Sequence, residues 1–376
     1  MTSKHFPSKP DHIPELDGLR GLAILAVLFY HFFWFPSDPT HWPKFFSLLW
    51  KLGQIGWVGV NLFFVLSGFL ITRILLAQKG SHSFFKDFYW RRALRILPLY
   101  FLTLLFIGFY YPSSGPFVLF SLFFLSNAVE LWGVYSPYQP LWSLAVEEQF
   151  YLFWPWMVSK LSTRHLKMLC WGALCLEPVA RYFYFMNHPP NYWLLLINFD
   201  GFAIGALLAA ELKTDRSAKS RWPTYFQYLG LTVLLCFCLF KLGLFTRTRV
   251  VGEMFLPTVI YLMSASLLSF CIHFKGSKWL SIFSKGTLPS WGKLSYAAYL
   301  CHYPINGWIE QVLSHHYTLK EYNYLWSVSL LRTILCFGTT YGLSWGLHRF
   351  VELPFLRLKD RLPKCDFIGR AARTHD

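Results

Sequence analysis

Three predominantly apolar runs, Gly56 to Ala77, Tyr192 to Ala210 and Trp326 to Leu347, each reach about twenty residues, the length a helix needs to cross a bilayer. Backbone groups in hydrocarbon must satisfy one another, so runs of this kind fold as helices. The composition agrees. Of 376 residues, 55% are hydrophobic and 14% charged, against roughly 25% charged in an ordinary soluble domain. A soluble enzyme is therefore disfavoured. No cleavable leader is apparent, because the first sixteen residues are polar and contain proline and the apolar run that follows lacks a small-residue cleavage site.

Further runs raise the count. Spans are expected at about 18–36, 56–78, 96–112, 141–159, 167–185, 192–211, 224–242, 253–273, 291–312 and 324–348. The stretch from Phe117 to Val129 is too short for a crossing and suits a re-entrant or interfacial segment. Lys and Arg collect in cytoplasmic loops, and ten spans with the N-terminus inside place about 27 of the 35 Lys and Arg on the inner side. Eleven spans would invert most loops after residue 130. The expected fold is thus all-α and polytopic, with about ten transmembrane helices, one short segment and both termini cytoplasmic. Residues 1–15 would form a cytoplasmic lead, 16–354 the transmembrane domain and 355–376 a basic tail.

That asymmetry also accounts for the net charge of +16 without a nucleic-acid partner. Seven of the eight cysteines lie in apolar stretches and form no CxxC pair, so neither a metal site nor a disulfide framework is expected.

Ionisable groups within spans are expensive and mark functional sites by default. Arg20 and His31 lie eleven residues apart on the first span, so they share a helix face about 16 Å apart along the axis. Glu147 and Glu148, in LWSLAVEEQFYLFWPW, are expected about 10 Å below the outer boundary, at the depth of His31. A carboxylate there could orient His31 as a general base, and a structural His–Glu bond between helices would look the same in sequence. FYWRRALRILP spaces Arg92 and Arg95 on one face just before the third span. Such arginines often serve topology alone, yet paired guanidiniums beside Arg20 also suit a phosphate-rich ligand. Asp200, and His302 just before Pro304 at an expected helix break, admit structural and functional roles equally. Gly56, Gly59, Ser67 and Gly68 are read as close helix packing. No GxSxG elbow marks a catalytic serine.

LDGLRG followed by His31, GVNLFFVLSGFLITR, FYWRRALRILPLY, WSLAVEEQFYLFWP, SYAAYLCHYPI and RFVELP together resemble the acyltransferase family 3 membrane proteins over nearly the whole chain. The resemblance implies transfer of an acyl group, usually acetyl from cytoplasmic acetyl-CoA, to a hydroxyl of an extracytoplasmic glycan in the bacterial inner membrane. Lipopolysaccharide, exopolysaccharide, peptidoglycan and small secondary metabolites are all compatible acceptors, as is a lipid-linked glycan. It further implies that Arg20, Arg92 and Arg95 grip the donor phosphates and that His31, Glu147 and Glu148 are catalytic, with Ser143, Asp200 and His302 supporting. No tightly bound cofactor or metal is implied. Two positions depart from the family pattern: Asn61 where aspartate is common, and Asn198 where a basic residue often stands. Some members carry a fused SGNH domain; none follows here, so such a partner is expected to be separate or unnecessary. The rival classes are a secondary transporter and a glycan flippase using the same buried charges. The oligomeric state is open.

Overall fold

The computed structural model describes residues 12–33, 42–187, 193–214, 249–317 and 326–361, with a few positions between 229 and 241. All regular structure among them is helical. The main helices are α1 (Pro14–Phe33), α2 (Lys44–Gly53), α3 (Val58–Gln78), α4 (Phe84–Tyr110), α5 (Gly115–Leu122), α6 (Leu141–Lys160), α7 (Thr163–Asn187), α8 (Phe199–Thr214), α9 (Arg249–His273), α10 (Thr287–Ser314), α11 (Trp326–Leu347) and α12 (Leu353–Arg361). The run expected at 224–242 lies largely outside the described residues, as do most of the N-terminal lead and the basic tail.

Four stretches are long and apolar enough to cross a membrane by length and composition: Pro14–Phe33, Lys44–Gln78, Phe84–Tyr110 and Met254–His273. Several other long helices fall short because they carry polar groups. Two glutamates sit in mid-α6, Glu177 and Arg181 in α7, and Lys293, His302, Asn306 and Glu310 in α10. The segment after α4 is indeed short. Helix α5 has eight residues, about 12 Å at 1.5 Å per residue, and a 3-10 turn at Val129–Trp132 follows it.

Helices α1 and α10 run parallel with a constant offset, since Gly21 meets Gly292 at one end and His31 meets His302 ten residues further along both helices. The contact is backbone on backbone. A Cβ at Gly21 would strike the Leu288 carbonyl, and one at Gly292 the Asp17 carbonyl. Gly21→Val is accordingly expected to force the helices apart at a cost of about 1–3 kcal/mol or more, read as loss of monodisperse protein in detergent. Gly56, Gly59 and Gly68 pack as expected, against the backbones of Ala26, Ala23 and Phe202. Ser67 does not; its hydroxyl donates to Glu147.

Around α3, α6 and α8 an aromatic core forms, with the Phe150 ring 4.3 Å from Phe202 and Phe202 4.7 Å from Phe64. Trp154 donates its indole N–H to Thr72 Oγ1 at 2.7 Å, fixing α6 beside α3.

The break expected near Pro304 is absent, and α10 continues through it. A proline leaves the carbonyl four residues earlier without its helical donor, here that of Leu300. The buried Tyr138 hydroxyl donates to that carbonyl, so the helix survives.

Candidate active site

Helix α4 begins at Phe84, about twelve residues before the expected start of the third span. Arg91, Arg92 and Arg95 are therefore inside a continuous helix rather than in a preceding loop. This single shift reorganises the site. Arg92 rises to the level of α6 and pairs with Glu148 at 3.2 Å, with Glu147 at 3.9 Å. Its guanidinium lies over the Tyr151 ring, 3.0 Å from the centroid. Glu147 also accepts from Ser67 and Tyr151. In a low-dielectric interior two adjacent carboxylates take the nearest guanidinium and hydroxyls.

Consequently neither glutamate meets His31, and the expected His31–carboxylate pairing is corrected. His31 Nδ1 lies 2.9 Å from the Val27 carbonyl. A carbonyl only accepts, so Nδ1 carries the proton and Nε2 presents its lone pair, the tautomer a general base requires. The ring packs against His302, with centroids 4.7 Å apart. His302 is fully buried and repeats the arrangement, its Nδ1 2.7 Å from the Tyr299 carbonyl. Its Nε2 has no hydrogen-bond partner among the described residues.

A cavity of about 230 Å³ opens among α1, α3, α4, α6 and α10. Its polar wall contains Arg20, Arg92, Arg95, Ser143, Glu147 and Tyr299. Arg20 donates to Ser295 Oγ at 3.2 Å. Arg95 is exposed along this cavity and forms no hydrogen bond or salt bridge among the described residues, although Arg20 and Arg92 both repel it. Three guanidiniums lining one cavity, two of them without a carboxylate, have the chemistry to hold a polyanion. Ser143 Oγ lies 2.5 Å from the Tyr299 hydroxyl, and Tyr299 in turn adjoins His302. The histidine pair thus sits beyond the cavity wall, about 16 Å from Arg20 along α1.

Asp200 belongs elsewhere. It is fully buried and pairs with the fully buried Arg181 at 2.6 Å, while accepting from Thr258 at 2.5 Å and from the Gly201 N–H at 3.1 Å. Glu177, one turn before Arg181, accepts from the Phe199 N–H at 2.7 Å. These two residues of α7 were missed in the sequence, although an intramembrane Glu and Arg four apart are the available signal. The two departures from the family pattern also prove to be neighbours. The Tyr261 hydroxyl donates to Asn198 Oδ1 at 2.7 Å and also hydrogen-bonds Asn61, so two neutral amides share one phenol.

An all-helical membrane body with a cationic internal cavity beside a histidine pair defines a membrane-embedded transferase or carrier. Residues 13–349 match the family model described as an acyltransferase domain, so the chain belongs to acyltransferase family 3. It is similar to the protein named "Putative peptidoglycan O-acetyltransferase YrhL" of Bacillus subtilis, with 30% identity over 78% of this chain and 48% of that one. It is also similar to "Peptidoglycan O-acetyltransferase OatA" of Listeria monocytogenes, with 28% identity over 91% of this chain and 56% of the other. The chain spans about half the length of these curated relatives. No solved structure matches it.

Proposed function

We propose that this protein is an integral membrane O-acyltransferase that moves an acetyl group from cytoplasmic acyl-CoA to a hydroxyl of an envelope glycan. The observation that carries the proposal is the cavity that gathers Arg20, Arg92 and Arg95 on one wall while α1 leads from Arg20 to His31. Arg20 and Arg95 would take the donor phosphates. Arg92, already neutralised by Glu147 and Glu148, would shape the wall, and the pantetheine arm would follow α1 outward. His31, with His302 against it, would deprotonate the acceptor hydroxyl or carry the acyl group briefly. The carboxylates act through Arg92 rather than through His31, and Ser143 holds Tyr299 at the cavity wall.

Ten crossings of a bacterial inner membrane with both termini cytoplasmic remain part of this reading, since they put the arginines at the donor side. The names of the relatives support a peptidoglycan acceptor over lipopolysaccharide or exopolysaccharide. The test is reconstitution in liposomes with labelled acetyl-CoA and peptidoglycan-type glycan. Label fixed covalently in the glycan supports the enzyme. Solute uptake without covalent transfer would instead support a carrier, and glycan movement without donor consumption a flippase.

Arg95→Ala tests the donor grip separately. Losing one charge-assisted bond, about 1.5–3 kcal/mol, is expected to raise KM for acetyl-CoA at least about 10-fold with kcat little changed. An unchanged KM removes Arg95 from the donor site.

A further inference from the structure

We propose that Arg332 is a positioning residue, a guanidinium clamp that fixes the distance between the helices carrying His31 and His302. The proposal rests on the histidine reading above.

Arg332 lies on α11, 2% exposed. Its Nη1 donates to the Phe32 carbonyl at 3.1 Å, and its Nη2 donates to Asn306 Oδ1 at 2.7 Å while facing Glu310 at 3.6 Å. Phe32 directly follows His31, and Asn306 is one turn beyond His302. One side chain therefore joins the two reactive-helix segments at the level of the rings.

The need for such a joint follows from how the two rings are held. Each histidine ring is tied through Nδ1 to a carbonyl of its own helix. Ring orientation is thus set within each helix, and the ring-to-ring spacing is set only by how α1 and α10 sit against each other. The glycine contacts at Gly21 and Gly292 pin the helices about 15 Å away, ten residues along. Arg332 pins the other end. Phe337, one turn beyond Arg332 on α11, adds an edge-on contact to Phe32 with centroids 5.1 Å apart.

A displacement of about 1 Å at a reacting group can lower a rate about 100-fold. Arg332→Gln is therefore expected to lower kcat about 10- to 100-fold while KM for acetyl-CoA stays unchanged, because Arg20, Arg92 and Arg95 are remote from the clamp. Arg332→Lys, which keeps the charge and one bond, should recover part of the rate. A purely structural role would instead reduce the yield of folded protein without altering kcat per donor-binding molecule.

The experiment measures kcat and KM for the full chain in liposomes, normalised to acetyl-CoA binding sites, for both Arg332 variants and for His31→Ala. Wild-type kcat in Arg332→Gln alongside an inactive His31→Ala overturns the clamp and leaves the histidine reading standing. A wild-type rate in His31→Ala overturns the histidine reading itself. If Arg332→Gln does not fold, the double variant Asn306→Ala with Glu310→Gln removes only the α10 end of the clamp. It should lower kcat several-fold at constant KM, and a wild-type kcat there overturns the proposal.

Discussion

His31→Ala leaves a folded, donor-binding protein whose acyl transfer falls about 1,000-fold, in the middle of the 10²- to 10⁴-fold range contributed by a positioned general base. The fold should survive because the side chain makes few structural demands. Its hydrogen bond goes to Val27 on its own helix, and that carbonyl keeps its helical donor after the substitution. The neighbouring His302 Nε2 has no partner among the described residues even in the wild type, so no new buried acceptor is orphaned. Donor affinity should also persist, because Arg20 stands three turns away and Arg95 lies on another helix. Labelled acetyl-CoA binding and acyl transfer, measured on the same preparation, separate the two effects. Retained binding with lost transfer supports His31 as the base or acyl carrier, and retained transfer removes it from the chemistry. His302→Ala provides the companion measurement, since its partnerless Nε2 and the 4.7 Å ring spacing place a second acceptor beside the first.

The site was legible in the sequence as an inventory more than as a geometry. Helical periodicity put Arg20 and His31 on one face of α1, and the structure keeps them on a single helix. The arginine group was legible too, since Arg20, Arg92 and Arg95 do line one cavity. The partner of Glu147 and Glu148 was not. Depth along their own helices brought them to His31, but depth alone does not say which neighbouring helix a carboxylate faces. FKDFYWRRALR is polar enough to resemble a loop, yet it is helical from Phe84 onward, and Arg92 within it finds Glu148 and the Tyr151 ring on α6. That tertiary pairing is what local composition could not show. Asn61 and Asn198 illustrate the same limit. Each is visible alone as a departure from the family pattern, but only the fold shows that both serve Tyr261. Arg332 lies in an otherwise apolar stretch that reads simply as a span, and its role depends on two helices distant in sequence.

Asp200→Ala is expected to damage stability more than any other single change among the described polar residues. It removes the only carboxylate bonded to Arg181 among the described residues while that guanidinium stays at zero exposure. Breaking a buried ion pair by deleting one partner costs about 3–5 kcal/mol, because the remaining charge cannot reach water. Arg181 would keep its bonds to the Ile197 carbonyl at 2.9 Å and Thr258 at 2.7 Å, which offset part of this cost but cannot neutralise the charge. Thr258 would also lose its acceptor on Asp200. Because the cluster ties α7, α8 and α9 together, the loss should appear as a lower thermal midpoint and less folded protein. KM for the donor should hold in the fraction that remains. The double variant Asp200→Leu with Arg181→Met distinguishes this account from a catalytic one. Replacing both charges with apolar groups of similar volume removes the uncompensated cation, so most of the stability should return and acyl transfer with it. If stability returns while transfer stays absent, Asp200 acts in the chemistry, and the view of the α7–α8–α9 cluster as a structural joint is wrong.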